Sequence, residues 1–85
     1  MLKPIRLSGH ARYQLTRRGV SEAEVRETIQ TSVWEPAELD RLQCRRDFPF
    51  GEEWNGKFYQ TKQVHPIFVE EADEIVVVTI YSYYF

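Results

Sequence analysis

"SGHARYQLTRRGVSEAE", residues 8–24, holds the signals from which the fold of this chain is read. Ser8 precedes a run with Leu7, Ala11 and Leu15 at helical spacing, and a serine there accepts from the orphan N–H groups of a first turn. The pattern predicts a helix from Ser8 to about Arg18, with Leu7, Ala11, Leu15 and the stem of Arg18 facing the core. Gly19 closes it, because the left-handed position after a helix favours glycine. Ser21-Glu22-Ala23-Glu24 then has the form of a capping box, in which Ser21 caps and Glu24 reaches back. It opens a second helix with Val25, Ile29 and Val33 on the buried stripe. A connection this short leaves only two packed, strongly angled helices.

Strand signals follow. "LQCRRDFPF", residues 42–50, alternates Leu42, Cys44, Arg46 and Phe48 against Gln43, Arg45 and Asp47, and reads as a strand stopped by Pro49. Asn55-Gly56 is a hairpin turn signal that leads into a strand from Lys57 to Lys62. "VHPIFVEE" reads as another, with Pro66 pointing to an edge or a bulge. After a turn at Ala72-Asp73 comes "EIVVVTIYSYYF", long, β-branched and aromatic, expected to lie centrally under the helices. Helices first and strands after them make an α+β domain: two N-terminal helices on one face of a three- to four-stranded antiparallel sheet.

Length and composition narrow the classes. Eighty-five residues are read as a single domain over 1–85. One cysteine, Cys44, excludes an internal disulfide framework and suits a reducing compartment. Neither a signal peptide nor a membrane span is read, so a cytoplasmic protein without membrane contact is expected. The net charge of −2 is uneven, since Lys3, Arg6, Arg12, Arg17 and Arg18 stand unopposed in the first twenty residues. Such segregation suits an anionic partner, and equally a solvated helix face.

The chemistry-bearing residues are few. His10, Tyr13, Gln14 and Arg17 share a helix face by their spacing. A histidine beside arginine and tyrosine can perform acid–base chemistry on a phosphodiester, with the cation stabilising the developing charge. The bland alternative leaves His10 in solvent at the helix start, and Arg17-Arg18 complementing the helix dipole. Arg46 shares a face with Leu42, Cys44 and Phe48, so it needs an acidic partner or the edge of the sheet. His65 beside Pro66 is a second imidazole. Thr79 and Tyr81 on the last strand can bind phosphate or orient a base, and are also ordinary strand formers. The closing "YSYYF" completes a core or forms an interface with a second chain. No metal-ligand spacing and no glycine-rich phosphate loop occurs, so neither a metal nor another cofactor is expected.

"HARYQLTRRGVSEAEVRETI", followed by a β region ending in "EIVVVTIYSYY", resembles a bacterial family of small domains of unknown function. Its pattern opens with H-A-x-x-R-[ML]-x-x-R-G-[IV]-[ST]-x-x-E-V and closes with a V-x-T-V-Y-like strand. That family is similar to the BrnT and RelE/ParE-like toxins. The resemblance covers nearly the whole chain and implies a metal-independent endoribonuclease of a toxin–antitoxin pair, with RNA as substrate and an antitoxin protein as partner. It places His10, Ala11, Arg18 and Gly19 on the signature, and Gln14 where the family has an arginine. With Arg12, Arg17 and Arg46 added from the reading of the residues themselves, the expected site joins His10, Arg46 and Tyr81 for catalysis with Arg12, Arg17, Arg18 and Thr79 as RNA and phosphate contacts. The alternative is a non-catalytic module whose basic helix docks an acidic partner or a second subunit, with a homodimer through the C-terminal aromatic strand.

Overall fold

The computed structural model describes residues 3–85 and keeps both helices where their caps put them. Helix α1 spans Gly9–Arg18; the Ser8 hydroxyl accepts from Ala11 N–H, and Gly19 closes the helix at φ 67°. Helix α2 spans Glu22–Thr31 behind a complete capping box, with Ser21 and Glu24 each accepting from the other's backbone N–H. One assignment of a buried face is corrected. Val33 is 85% exposed, because α2 ends at Thr31 and the chain turns extended at Ser32. Thr28 is buried instead, its hydroxyl satisfied by the Glu24 carbonyl at 2.7 Å. On α1 Gln14 is buried as well, and Arg18 is half-buried with its Nε inside.

The sheet is larger than expected, and mixed. Six strands take part: β1 (Ile5–Leu7), β2 (Glu35–Ala37), β3 (Arg41–Gln43), β4 (Arg46–Trp54), β5 (Lys57–Glu70) and β6 (Ile75–Tyr84). Along the sheet the order is β1-β6-β5-β3-β2, with β4 also paired to β5. The antiparallel sheet of three or four strands is therefore corrected, since β1 runs parallel to β6 and pairs Ile5 with Ile75 and Leu7 with Val77. Three residues are too few to show a period of two, so β1 leaves no alternation to read.

The expected strand 42–50 is two strands, and Pro66 supplies the reason. It pairs with Ile80 of β6 in a β5 strand flanked on its other side by β4 up to Val64 and by β3 from Ile67. A proline has no N–H to offer a third strand at that level. The facing chain leaves the ladder there, at Cys44-Arg45. Cys44 turns into the core and its thiol donates to the Thr28 carbonyl at 3.6 Å. Pro49 does not stop β4, which continues to Trp54, because its far side is a free edge and one missing donor breaks no ladder. Asn55-Gly56 forms the expected hairpin turn, both residues at positive φ.

Strand alternation sorts the two faces. Lys62, Val64 and Pro66 stand opposite Tyr84, Ser82 and Ile80 on the helix side. A bulge after Ile67 keeps Phe68, Val77 and Ile75 in that layer, against Val25 and Ile29 of α2 and Ala11 of α1. Gln63, His65 and Ile67 stand opposite Tyr83, Tyr81 and Thr79 on the other face, which no helix covers. Helix α1 lies along the outer edge of β6 beyond β1: Ser8 N–H bonds the Val77 carbonyl, and Gln14 Oε1 accepts from Ile80 N–H at 2.7 Å. Among the described residues no helix is long and apolar enough to cross a membrane.

Candidate functional site

On the open face, β3, β5 and β6 and the β2–β3 turn enclose a cleft of about 360 Å³. Its walls include Glu38, Leu39, Arg41, Gln43, His65, Thr79 and Tyr81. The turn over its rim takes left-handed conformations at Leu39 and Asp40, φ 60° and 57°, and closes through Arg41 N–H to the Glu38 carbonyl. That conformation costs an ordinary side chain about 1–2 kcal/mol, and strained backbone of this sort gathers at binding sites.

His65 lies at the floor, 5% exposed. Its Nε2 is 2.8 Å from Gln43 Oε1, and its ring lies 5.7 Å from Tyr81 and 6.1 Å from Tyr83, centroid to centroid. Its Nδ1 is buried with no hydrogen-bond partner. Burial, reinforced by the nearby Arg45 charge and opposed by Glu35, holds its pKa below the usual histidine value. The imidazole is thus a neutral base in an aromatic setting.

The charges around it follow a pattern. Six of the eleven cations form ion pairs: Lys3 with Glu70, Arg6 with Glu74, Arg12 and Arg26 with Glu22, Arg46 with Glu27, and Lys62 with Glu24. Among the described residues Arg17, Arg18, Arg41, Arg45 and Lys57 have no carboxylate partner. One of these five lines the cleft and two more lie near residues that do. Arg41 lines it, Arg45 acts on His65, and the Arg18 guanidinium lies 5.6 Å over the Tyr81 ring with a buried, unpartnered Nε.

The residues expected at the site divide accordingly. Arg18, Thr79 and Tyr81 come together beside the cleft. His10 is exposed on the first turn of α1, and no hydrogen bond or aromatic contact joins it to Arg46 or Tyr81. Arg46 pairs with Glu27 at 3.6 Å, the acidic partner its strand face required, donates to Thr31 Oγ1 at 2.9 Å and lies over Phe48. Arg12 is held by Glu22 at 2.7 Å, and Arg17 donates to the Tyr13 hydroxyl at 2.9 Å. Of the three arginines of α1, only Arg12 is neutralised by a carboxylate. Gln14 accepts from both Thr79 Oγ1 and Ile80 N–H, a role an all-donor arginine cannot fill. Gln43, Arg41 and Arg45 were not singled out for the site, and no local motif marks them. Only pairing of Gln43 with Ile67, next to His65, brings them in.

Comparison with protein-family models, curated proteins and solved structures finds no match. The reading of function therefore rests on the chain's own chemistry. Among the described residues no three His, Cys, Asp or Glu side chains gather as metal ligands would.

Proposed function

We propose that this protein is a toxin-like endoribonuclease whose working surface is the open sheet face around His65 rather than the His10 helix turn. The observation that carries the reading is a cleft lined by unpaired Arg41, the buried His65 imidazole and the exposed Tyr81, with unpaired Arg18 over the Tyr81 ring and the Arg45 charge acting on His65. Cleavage by the neighbouring ribose hydroxyl needs a base for the 2′-OH, cations for the phosphorane and an acid for the 5′-oxygen. His65 supplies the base, Arg41 and Arg18 the positive charge, and the Tyr81 hydroxyl the proton. Tyr83 and Phe85 continue the aromatic column along β6, 47% and 59% exposed, as platforms on which bases of a single strand stack.

The same column favours a second reading, a binding module covered there by an antitoxin or a second copy of this chain. The two readings separate in one experiment. Purified wild type, His65→Gln, Arg41→Ala and His10→Ala proteins, each checked for folding by circular dichroism, are incubated with single-stranded RNA. The nuclease reading expects His65→Gln to lose about 10²-fold or more in rate, Arg41→Ala to fall with it, and His10→Ala to stay near wild type. RNA left intact by the wild type overturns the nuclease and leaves the binding module.

A further inference from the structure

Beneath the cleft runs a short hydrogen-bonded chain that the core packing does not require. Gln43 Nε2 donates to the Pro36 carbonyl at 3.0 Å, and Gln43 Oε1 lies 2.8 Å from His65 Nε2. A carbonyl oxygen only accepts, so the amide nitrogen must face Pro36 and the amide oxygen must face the ring. The ring nitrogen facing that oxygen must then be the donor. His65 therefore carries its proton on Nε2, and Nδ1 is a bare acceptor, buried and unpartnered. Buried acceptors in folded proteins are normally satisfied, and an orphan on a residue that lines a cleft calls for a donor that reaches it when the cleft is occupied.

We infer that Gln43 is a positioning residue that locks His65 in the Nε2–H tautomer, leaving Nδ1 to take the proton of a ribose 2′-hydroxyl. The inference rests on the nuclease reading above. In the step, the O2′–H proton passes to Nδ1 as O2′ bonds to phosphorus and the P–O5′ bond breaks. The departing O5′ takes the Tyr81 proton, and His65 returns its own through water to the tyrosinate. The products are a 2′,3′-cyclic phosphate and a free 5′-hydroxyl. The groups facing the imidazole are Gln43 from β3, Tyr81 and Tyr83 from β6, Arg45 from the β3–β4 break and Glu35 from β2, with Arg41 and Glu38 on the cleft wall. None of the carboxylates bonds the ring, so the neutral amide alone selects the tautomer.

The test is nitrogen NMR of the imidazoles in the ¹⁵N-labelled full chain between about pH 5 and 8, for wild type, Gln43→Leu and Gln43→Glu, beside pH–rate profiles for RNA cleavage. Wild type is expected to show one neutral tautomer, Nε2–H. Gln43→Leu is expected to mix tautomers and to lose kcat by about tenfold or more with little change in KM. Gln43→Glu keeps the tautomer while raising the imidazole midpoint, and the acidic limb of the profile, by about one pH unit. An Nδ1–H wild type, or a tautomer unmoved in Gln43→Leu, overturns the positioning role whether or not RNA is cut. An Nε2–H wild type that leaves RNA intact overturns the 2′-hydroxyl step together with the nuclease reading, while the tautomer lock stands as measured.

Discussion

At Gly19 the chain is at φ 67°, and an added Cβ would lie 2.5 Å from the Tyr84 hydroxyl and 2.7 Å from the Trp54 ring. The backbone there also anchors the sheet, because Tyr84 and Ser82 donate to the Arg18 carbonyl and Lys62 donates to the Gly19 carbonyl. Glycine is thus required twice, for conformation and for space. Gly19→Ala is expected to cost about 2–4 kcal/mol, the left-handed penalty plus overpacking, read as a lower urea midpoint. A loss under about 0.5 kcal/mol would show that Tyr84 and Trp54 move away freely. The sequence exposed only the first of these reasons, since a helix stop is a local signal and the approach of Tyr84 spans 65 residues. The two histidines teach the same lesson. His10 stands on a readable helix face, whereas His65 becomes a buried base only through Gln43, Tyr81 and Arg45, each brought in by strand pairing or by the break beside it.

The contact between α1 and β6 joins a helix to an edge that would otherwise be bare. Past Val77, β6 has no strand on its outer side; the Ser8 hydroxyl donates to the Val78 carbonyl, Gln14 accepts from Ile80 N–H, and the Arg18 carbonyl accepts from the Ser82 and Tyr84 hydroxyls. Of these, the Val78 carbonyl and the Ile80 N–H are backbone groups of the edge, and their capture protects that stretch of the strand from pairing with other chains. Gln14→Leu is expected to leave Ile80 N–H unpaired at a cost of about 1–3 kcal/mol, and Gln14→Glu, which retains an acceptor, to cost less. Gln14→Arg should be the worst of the three, since it sets a donor against a donor. Chemical denaturation of the three variants ranks them, and an arginine variant as stable as wild type would refute the edge-capping role. The helices themselves were readable from Ser8, Gly19 and Ser21. The strand order was not, because β1 and β3 have three residues each and the gap opposite Pro66 breaks an alternation that continues in the sequence.

Charge and pH act on the protein as one body. Most carboxylates that meet a cation do so at the surface, where single pairs contribute little; Glu22, held below its usual range by Arg26 and Arg12, and Glu74, held by Arg6, are examples. The exception is Lys62, nearly buried between Glu24 and the Gly19 carbonyl, which joins β5 to the helix connection. His65 sets the dependence near neutrality. Its folded pKa lies below the ordinary 6.5, so the unfolded chain takes up a proton that the native state refuses. Stability is therefore full above about 6.5 and falls as pH drops through that value toward the folded pKa. The urea midpoint of the wild type should fall between about pH 7.5 and 5.5, and that of His65→Gln should fall less. Equal falls would mean that His65 charges freely in place.

Two things were fixed by the order of residues alone: the helix pair, because capping and glycine stops act within one turn of the chain, and the β-rich second half, because alternation and the Asn55-Gly56 turn act between neighbours. The mixed sheet, the cleft and the set of cations left unpaired came from tertiary pairing. Gln43, His65 and Tyr81 are up to 38 residues apart, and a hydrogen bond or a buried imidazole depends on which strands meet. Local spacing carries no record of that meeting.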